Sequence, residues 1–116
     1  QKLVVSGDMA FHERLLPVFP DTDTRAWIET WETAFEPLGA LYVIPGHGHP
    51  TNMDQVRLYT RDYLVYLREK IGAHLDEGGD LTEAYYVDQS PYARLDTFEE
   101  LATKNAGRVY EQMEFE

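Results

Sequence analysis

The order strand, amphipathic helix, strand at the start of this chain predicts an α/β domain. Three observations carry that expectation. Leu3-Val4-Val5 and Leu41-Tyr42-Val43-Ile44 are short apolar runs with β-branched residues, the pattern of buried strands. Between them Trp27, Ile28, Trp31, Phe35 and Leu38 recur at three- and four-residue steps, which makes one apolar helix face. Two strands joined through a helix need a crossover, and a crossover favours parallel pairing.

Taken in order, the first strand runs into Ser6-Gly7-Asp8, which reads as its end and the start of a loop. Residues 9–23 hold Pro17, Pro20 and an Asp-Thr-Asp-Thr run, so an irregular connection is expected. Asp23 or Thr24 caps the first helix, and Gly39 is its natural stop. After the second strand, Pro45-Gly46-His47-Gly48-His49-Pro50 has too many breakers to continue a strand or helix. Thr51 then opens a long helix over about 52–75, with Asp54 as capping partner. Val56, Tyr59, Tyr63, Leu67 and Ile71 form its inner stripe. Gly78-Gly79 closes it, and Asp80 with Glu83 caps a short helix. Ser90-Pro91 breaks the chain again, and Asp96 with Glu99 caps a last helix whose buried face includes Phe98, Leu101, Ala102, Val109 and Met113.

The chain has 116 residues, 43% hydrophobic and 13% aromatic, which suits one packed body rather than disorder. Ten Lys and Arg face 21 Asp and Glu, a formal charge of −11 at pH 7. That surface repels nucleic-acid phosphates and anionic membranes, so neither is an expected partner. With no cysteine, disulfides and thiolate metal ligands are excluded. No apolar run reaches the roughly 18 residues of a membrane span, and no signal peptide opens the chain. A soluble protein of the cytoplasm or periplasm is expected. Gln1 to Ser6 reads as a strand already under way and there is no initiating Met, so the chain is expected to be a fragment, a processed product or a trimmed chain.

Two motifs carry chemistry. The Asp8 carboxylate follows a strand, where α/β proteins place function, and offers a hard oxygen that can bridge two cations. Taken alone it is more simply a turn residue bonding its own backbone. His47 lies between glycines after the second strand, and the glycines allow close approach of an imidazole to a metal. Taken alone it is a solvated loop histidine. Together they are more specific, because parallel strands put both tips on one sheet edge, where the two groups could share a cation. His12 follows Asp8 closely and is read as a loop or pocket-lining residue, His49 as a pocket wall rather than a ligand, and His74 as a surface residue. Tyr59, Tyr63 and Tyr66, at helical spacing, are read as core with hydroxyls reaching the surface, and Trp27 and Trp31 as packing on the sheet.

With these residues in view, the chain resembles the C-terminal half of metallo-β-lactamase superfamily hydrolases, in particular glyoxalase-II-like and related stand-alone members. The matching pieces are Leu3 through Phe11, Asp23 through Trp31, Val43-Ile44-Pro45-Gly46-His47-Gly48, the helix around Tyr63-Leu64-Val65-Tyr66-Leu67, and Asn105 to Glu111. The resemblance implies half of an αβ/βα sandwich, few strands with about three to four helices. It implies that Asp8 bridges two metals and His47 ligates the second, with zinc as the metal and iron or manganese as alternatives. It implies hydrolysis of an ester, thioester or lactam in a small-molecule substrate by a metal-bound hydroxide. The family's His-x-His-x-Asp-His motif and its further histidine loop do not occur here. The chain alone is therefore expected to be inactive, and no catalytic residue is assigned within it. Because two strands leave large helix faces to cover, a homo-oligomer or association with a missing N-terminal half is expected. Two other readings are a self-associating, non-catalytic module and a single-iron persulfide dioxygenase.

Overall fold

The computed structural model describes residues 3–11, 13–38, 42–47 and 51–116, and for 3–10, 38, 42 and 44–47 the backbone alone. Strand β1 spans Leu3–Phe11 and β2 spans Tyr42–His47. Helix α1 covers Thr24–Thr30 and passes into a π-helical turn, Trp31–Phe35, and a 3-10 turn, Glu36–Leu38. Helices α2 (Met53–Tyr59), α3 (Arg61–Asp76), α4 (Leu81–Ala84) and α5 (Phe98–Met113) follow.

The expected α/β sandwich half is not what forms. The described residues make a small helical domain, in which β1 and β2 pair in parallel as a two-stranded strip. The physical reason lies in what covers the helix faces. Tyr63, Leu64, Leu67 and Ile71 of α3 bury against Ala102, Ala106 and Val109 of α5 and against Leu15 and Leu16 of the long connection, not against a sheet. The inner faces of α3 and α5 thus cover one another within the chain, while Phe19, Leu58, Tyr85, Tyr86 and Phe115 stay exposed. A second, smaller cluster joins Trp31 and Phe35 to Val43 of β2 and to Met53 and Val56 of α2.

The ends of the elements follow local chemistry. The Asp23 carboxylate accepts from the Ala26 amide, and Asp80 with Glu83 forms the reciprocal capping box. Asn52, not Thr51, caps α2, accepting from the Gln55 amide. The long helix expected over 52–75 is two helices, divided at Thr60, whose φ −117 and ψ −77 lie far from ideal helix angles. Its hydroxyl turns to the backbone of β1 instead. Thr97, not Asp96, stands at the N-cap position of α5; it sits in the left-handed region at φ 64 and makes no side-chain cap.

Both strands run further than the sequence pattern suggested. β1 continues through Gly7 and Asp8 to Phe11, and β2 continues through Pro45 and Gly46 to His47. Proline has no N–H for the ladder, and the register shifts on both sides of the Gly7–Pro45 pair. Extra residues in β1 take up the mismatch as bulges, so the pairing resumes at Phe11 and His47.

Polar groups lock the helical core. Asn105 is fully buried. Its Nδ2 donates to the Leu16 carbonyl (2.7 Å) and the Tyr63 hydroxyl (3.1 Å), and its Oδ1 accepts from the Val18 amide (2.7 Å). Tyr63 donates to Gln89 Oε1 (2.6 Å), and Gln89 Nε2 donates to the Ala102 carbonyl (2.8 Å). The Tyr63 hydroxyl is therefore inside the molecule, not at its surface as the helical spacing suggested. Burial pushes its pKa well up.

Candidate functional site

Asp8 and His47 stand on adjacent parallel strands. Gly7, just before Asp8, pairs with Pro45, and Phe11, three residues after it, pairs with His47. From Gly7 to Phe11 is four steps (11 − 7) while Pro45 to His47 is two (47 − 45), so two residues of β1 bulge out in the stretch that contains Asp8. Bulges often re-aim a side chain at a functional edge. The described structure of both residues is their backbone, and that backbone places them at the same end of the strip. His12 and His49 lie outside the described residues. His74, on α3, is remote in role: its Nε2 is 2.8 Å from the Asp80 carbonyl, and its ring lies against Tyr110.

Thr60 ties this edge to the helices. Its Oγ1 accepts from the Phe11 amide (2.7 Å) and donates to the Phe11 carbonyl (3.2 Å). The Phe11 ring, buried, lies 6.2 Å from that of Trp27. Thr60→Val removes the hydroxyl and keeps the volume, so both of its hydrogen bonds to the buried Phe11 backbone are lost. A loss of about 1–3 kcal/mol in urea unfolding is expected, together with faster hydrogen exchange at the Phe11 amide. Unchanged stability would mean the strand end is held some other way.

On β2, Val43 exchanges both backbone hydrogen bonds with Thr51, 2.7 and 2.8 Å, which fastens the strand to the entry of α2. Beneath it, Trp31 Nε1 donates to Glu36 Oε1 (2.7 Å), and Arg57 donates to the same oxygen (2.8 Å) and to Asp54 (2.9 Å). The Arg57 guanidinium holds the Glu36 carboxyl below the usual carboxylate range.

As a donor set, one carboxylate and one imidazole suit zinc, iron or manganese. Among the described residues no group of three or more His, Asp or Glu side chains gathers around a point that could hold a metal. Asp8 and His47 would supply part of a coordination shell, not all of one. Among the described residues no helix is long and apolar enough to cross a membrane.

Sequence reasoning passed over a cleft of about 280 Å³ just past the end of β1, lined by Glu13, Tyr59, Arg94, Leu95 and Asp96. Helical spacing marks Tyr59 as core with its hydroxyl reaching the surface, and Arg94 sits in the broken segment after Ser90-Pro91, where no periodicity marks it. The one available signal was an arginine in a turn of a strongly acidic chain. Compared with models of known protein families and with curated proteins, the sequence matches none.

Proposed function

We propose that this chain supplies two ligands, Asp8 and His47, to a metal centre that hydrolyses an ester, thioester or lactam bond in a small molecule, as its motif resemblance to metallo-β-lactamase-type hydrolases implies. One observation carries the reading: the parallel register that pairs Phe11 with His47 and sets the Asp8 stretch beside it. A carboxylate and an imidazole on neighbouring strands, toward the same end of the strip, are donors of the right kind for a shared cation. Once bound, a metal such as zinc polarises a carbonyl and lowers the pKa of water to about 7. Within this chain, the bulge, the Thr60 anchor and the Val43–Thr51 bridge hold the two strand ends in fixed relation. The remaining ligands would come from other polypeptide, either further sequence or a partner chain.

Zinc titration against a competing chelator tests the pair. Asp8→Ala and His47→Ala are each expected to weaken zinc affinity by at least about a hundredfold, and elemental analysis of the purified protein is expected to find zinc, iron or manganese. If neither substitution changes metal affinity, or no metal is taken up at all, the reading is wrong. Sedimentation at equilibrium, with and without zinc, measures the self-association that would supply further ligands.

A further inference from the structure

We propose that the cleft at the end of β1 binds the zwitterionic end of a small molecule, an α-ammonium and carboxylate pair as in a free amino acid. The argument begins with Arg94. Arg25, Arg57, Arg61, Arg68 and Arg108 each pair with a carboxylate. In a chain with 21 acidic residues, Arg94 makes no ion pair among the described residues. It lies instead over the Tyr59 ring, 5.5 Å from the centroid, and donates to the Tyr59 hydroxyl and the Pro91 carbonyl. A guanidinium has five N–H groups in a planar fork. Two of its nitrogens are used in these bonds, which leaves further donors and a full charge for a carboxylate. The cation–π contact fixes the fork without neutralising it.

The opposite character of the cleft comes from acids. Asp96 lines it within two residues of Arg94, and Glu13 lines it as well. With Arg94, Asp96 and Glu13 all lining the cleft, a plain anion and a plain cation would each meet residues of like charge. A zwitterion satisfies both signs at once. The volume, about 280 Å³, lies at the small end of ligand cavities, which run roughly 300–1,000 Å³.

The walls are held before any ligand arrives. The Asp96 amide donates to the Glu13 carbonyl (2.9 Å), and the Leu15 amide donates to the Asp96 carbonyl (2.9 Å). Glu13 at φ 70 and Thr97 at φ 64 are non-glycine residues held in the left-handed region. Such backbone costs free energy and persists where surrounding bonds enforce it. Glu13 lines this cleft, and Thr97 directly follows Asp96, which does. Because Glu13 follows the Phe11–His47 pair by two residues, a ligand seated here is beside the proposed metal edge. Calling it a substrate rests on the metal-hydrolase reading; its binding does not.

The test uses the isotope-labelled full chain without added metal, titrated with glycine, N-acetylglycine and glycinamide while amide and arginine side-chain resonances are followed. Glycine is expected to give saturable shifts at Arg94, Tyr59 and Asp96. N-acetylglycine, which lacks the ammonium, and glycinamide, which lacks the carboxylate, are expected to bind at least about tenfold more weakly. Arg94→Met, which keeps the aliphatic stem on Tyr59, is expected to abolish the glycine response, and Asp96→Asn to remove the preference for glycine over N-acetylglycine. Asp8→Ala is expected to leave the titration unchanged, so a failed metal centre and a failed cleft give different results. The proposal is overturned if no shift saturates, if glycine and N-acetylglycine bind alike, or if Arg94→Met binds glycine as the parent does.

Discussion

Replacing Asn105 with alanine is expected to lower the unfolding free energy by about 3–5 kcal/mol, close to the whole stability of a small domain. The side chain is fully buried and serves three partners on two other parts of the chain. Alanine leaves the Val18 amide and the Leu16 carbonyl without their partner, away from water, and takes away the donor to the Tyr63 hydroxyl oxygen. Each stranded buried group costs about 1–3 kcal/mol. The segment from Leu15 to Val18 has no regular secondary structure to satisfy it otherwise, so the loss is not made up locally. Urea unfolding measures the change. A loss below about 1 kcal/mol would show that water replaces the amide, and that the network is not what holds the connection down.

Tyr63→Phe separates the two halves of the same network. It keeps the ring contact with Tyr92, 4.8 Å between centroids, and deletes only the hydroxyl that joins Asn105 to Gln89. A smaller loss is expected than for Asn105→Ala. In the double variant the two losses should not add, since both act on one set of bonds.

How far the sequence reveals this molecule differs from feature to feature. Helix α1, the capping box at Asp80 and the stripe from Val56 to Ile71 follow from local rules, and local rules suffice because caps and periodic faces concern residues a few positions apart. The stripe departs from the local pattern in one respect. Nothing local distinguishes Thr60 from a continuing helical residue; the break forms because its hydroxyl serves Phe11, 49 residues away in sequence. Asn105 is the same kind of case: it falls on the buried face of α5, and its partners lie 42 to 89 positions distant. The fold class differs from the sequence expectation for a related reason. An amphipathic face shows that something covers it but not what, and here α5 and the Leu15-Leu16 segment cover α3 where a sheet was expected. At the candidate site, motif and spacing set Asp8 and His47 in loops just past the strands, whereas both lie within strands, and the bulge that offsets them depends on pairing with Pro45, which only the register shows.

Trp31→Ala is expected to cost about 3–5 kcal/mol as well, and to do so by a different route. The side chain is fully buried in the smaller cluster, with its ring 4.6 Å from that of Phe35, and it shares that cluster with Val43, Met53 and Val56. Removing it opens a cavity between α2 and β2, and Glu36 loses the indole N–H while keeping Arg57. Trp31→Phe retains most of the apolar volume and loses only that hydrogen bond, so about 1–2 kcal/mol is expected. The two clusters hold different strands. Phe11 anchors β1 in the larger one, and Val43 anchors β2 in the smaller. Trp31→Ala should therefore speed hydrogen exchange at Val43 and Thr51 more than at Phe11, and Asn105→Ala should do the reverse. If both variants relax all three amides equally, the strip unfolds with the helices as one unit, and β2 has no separate attachment through Trp31.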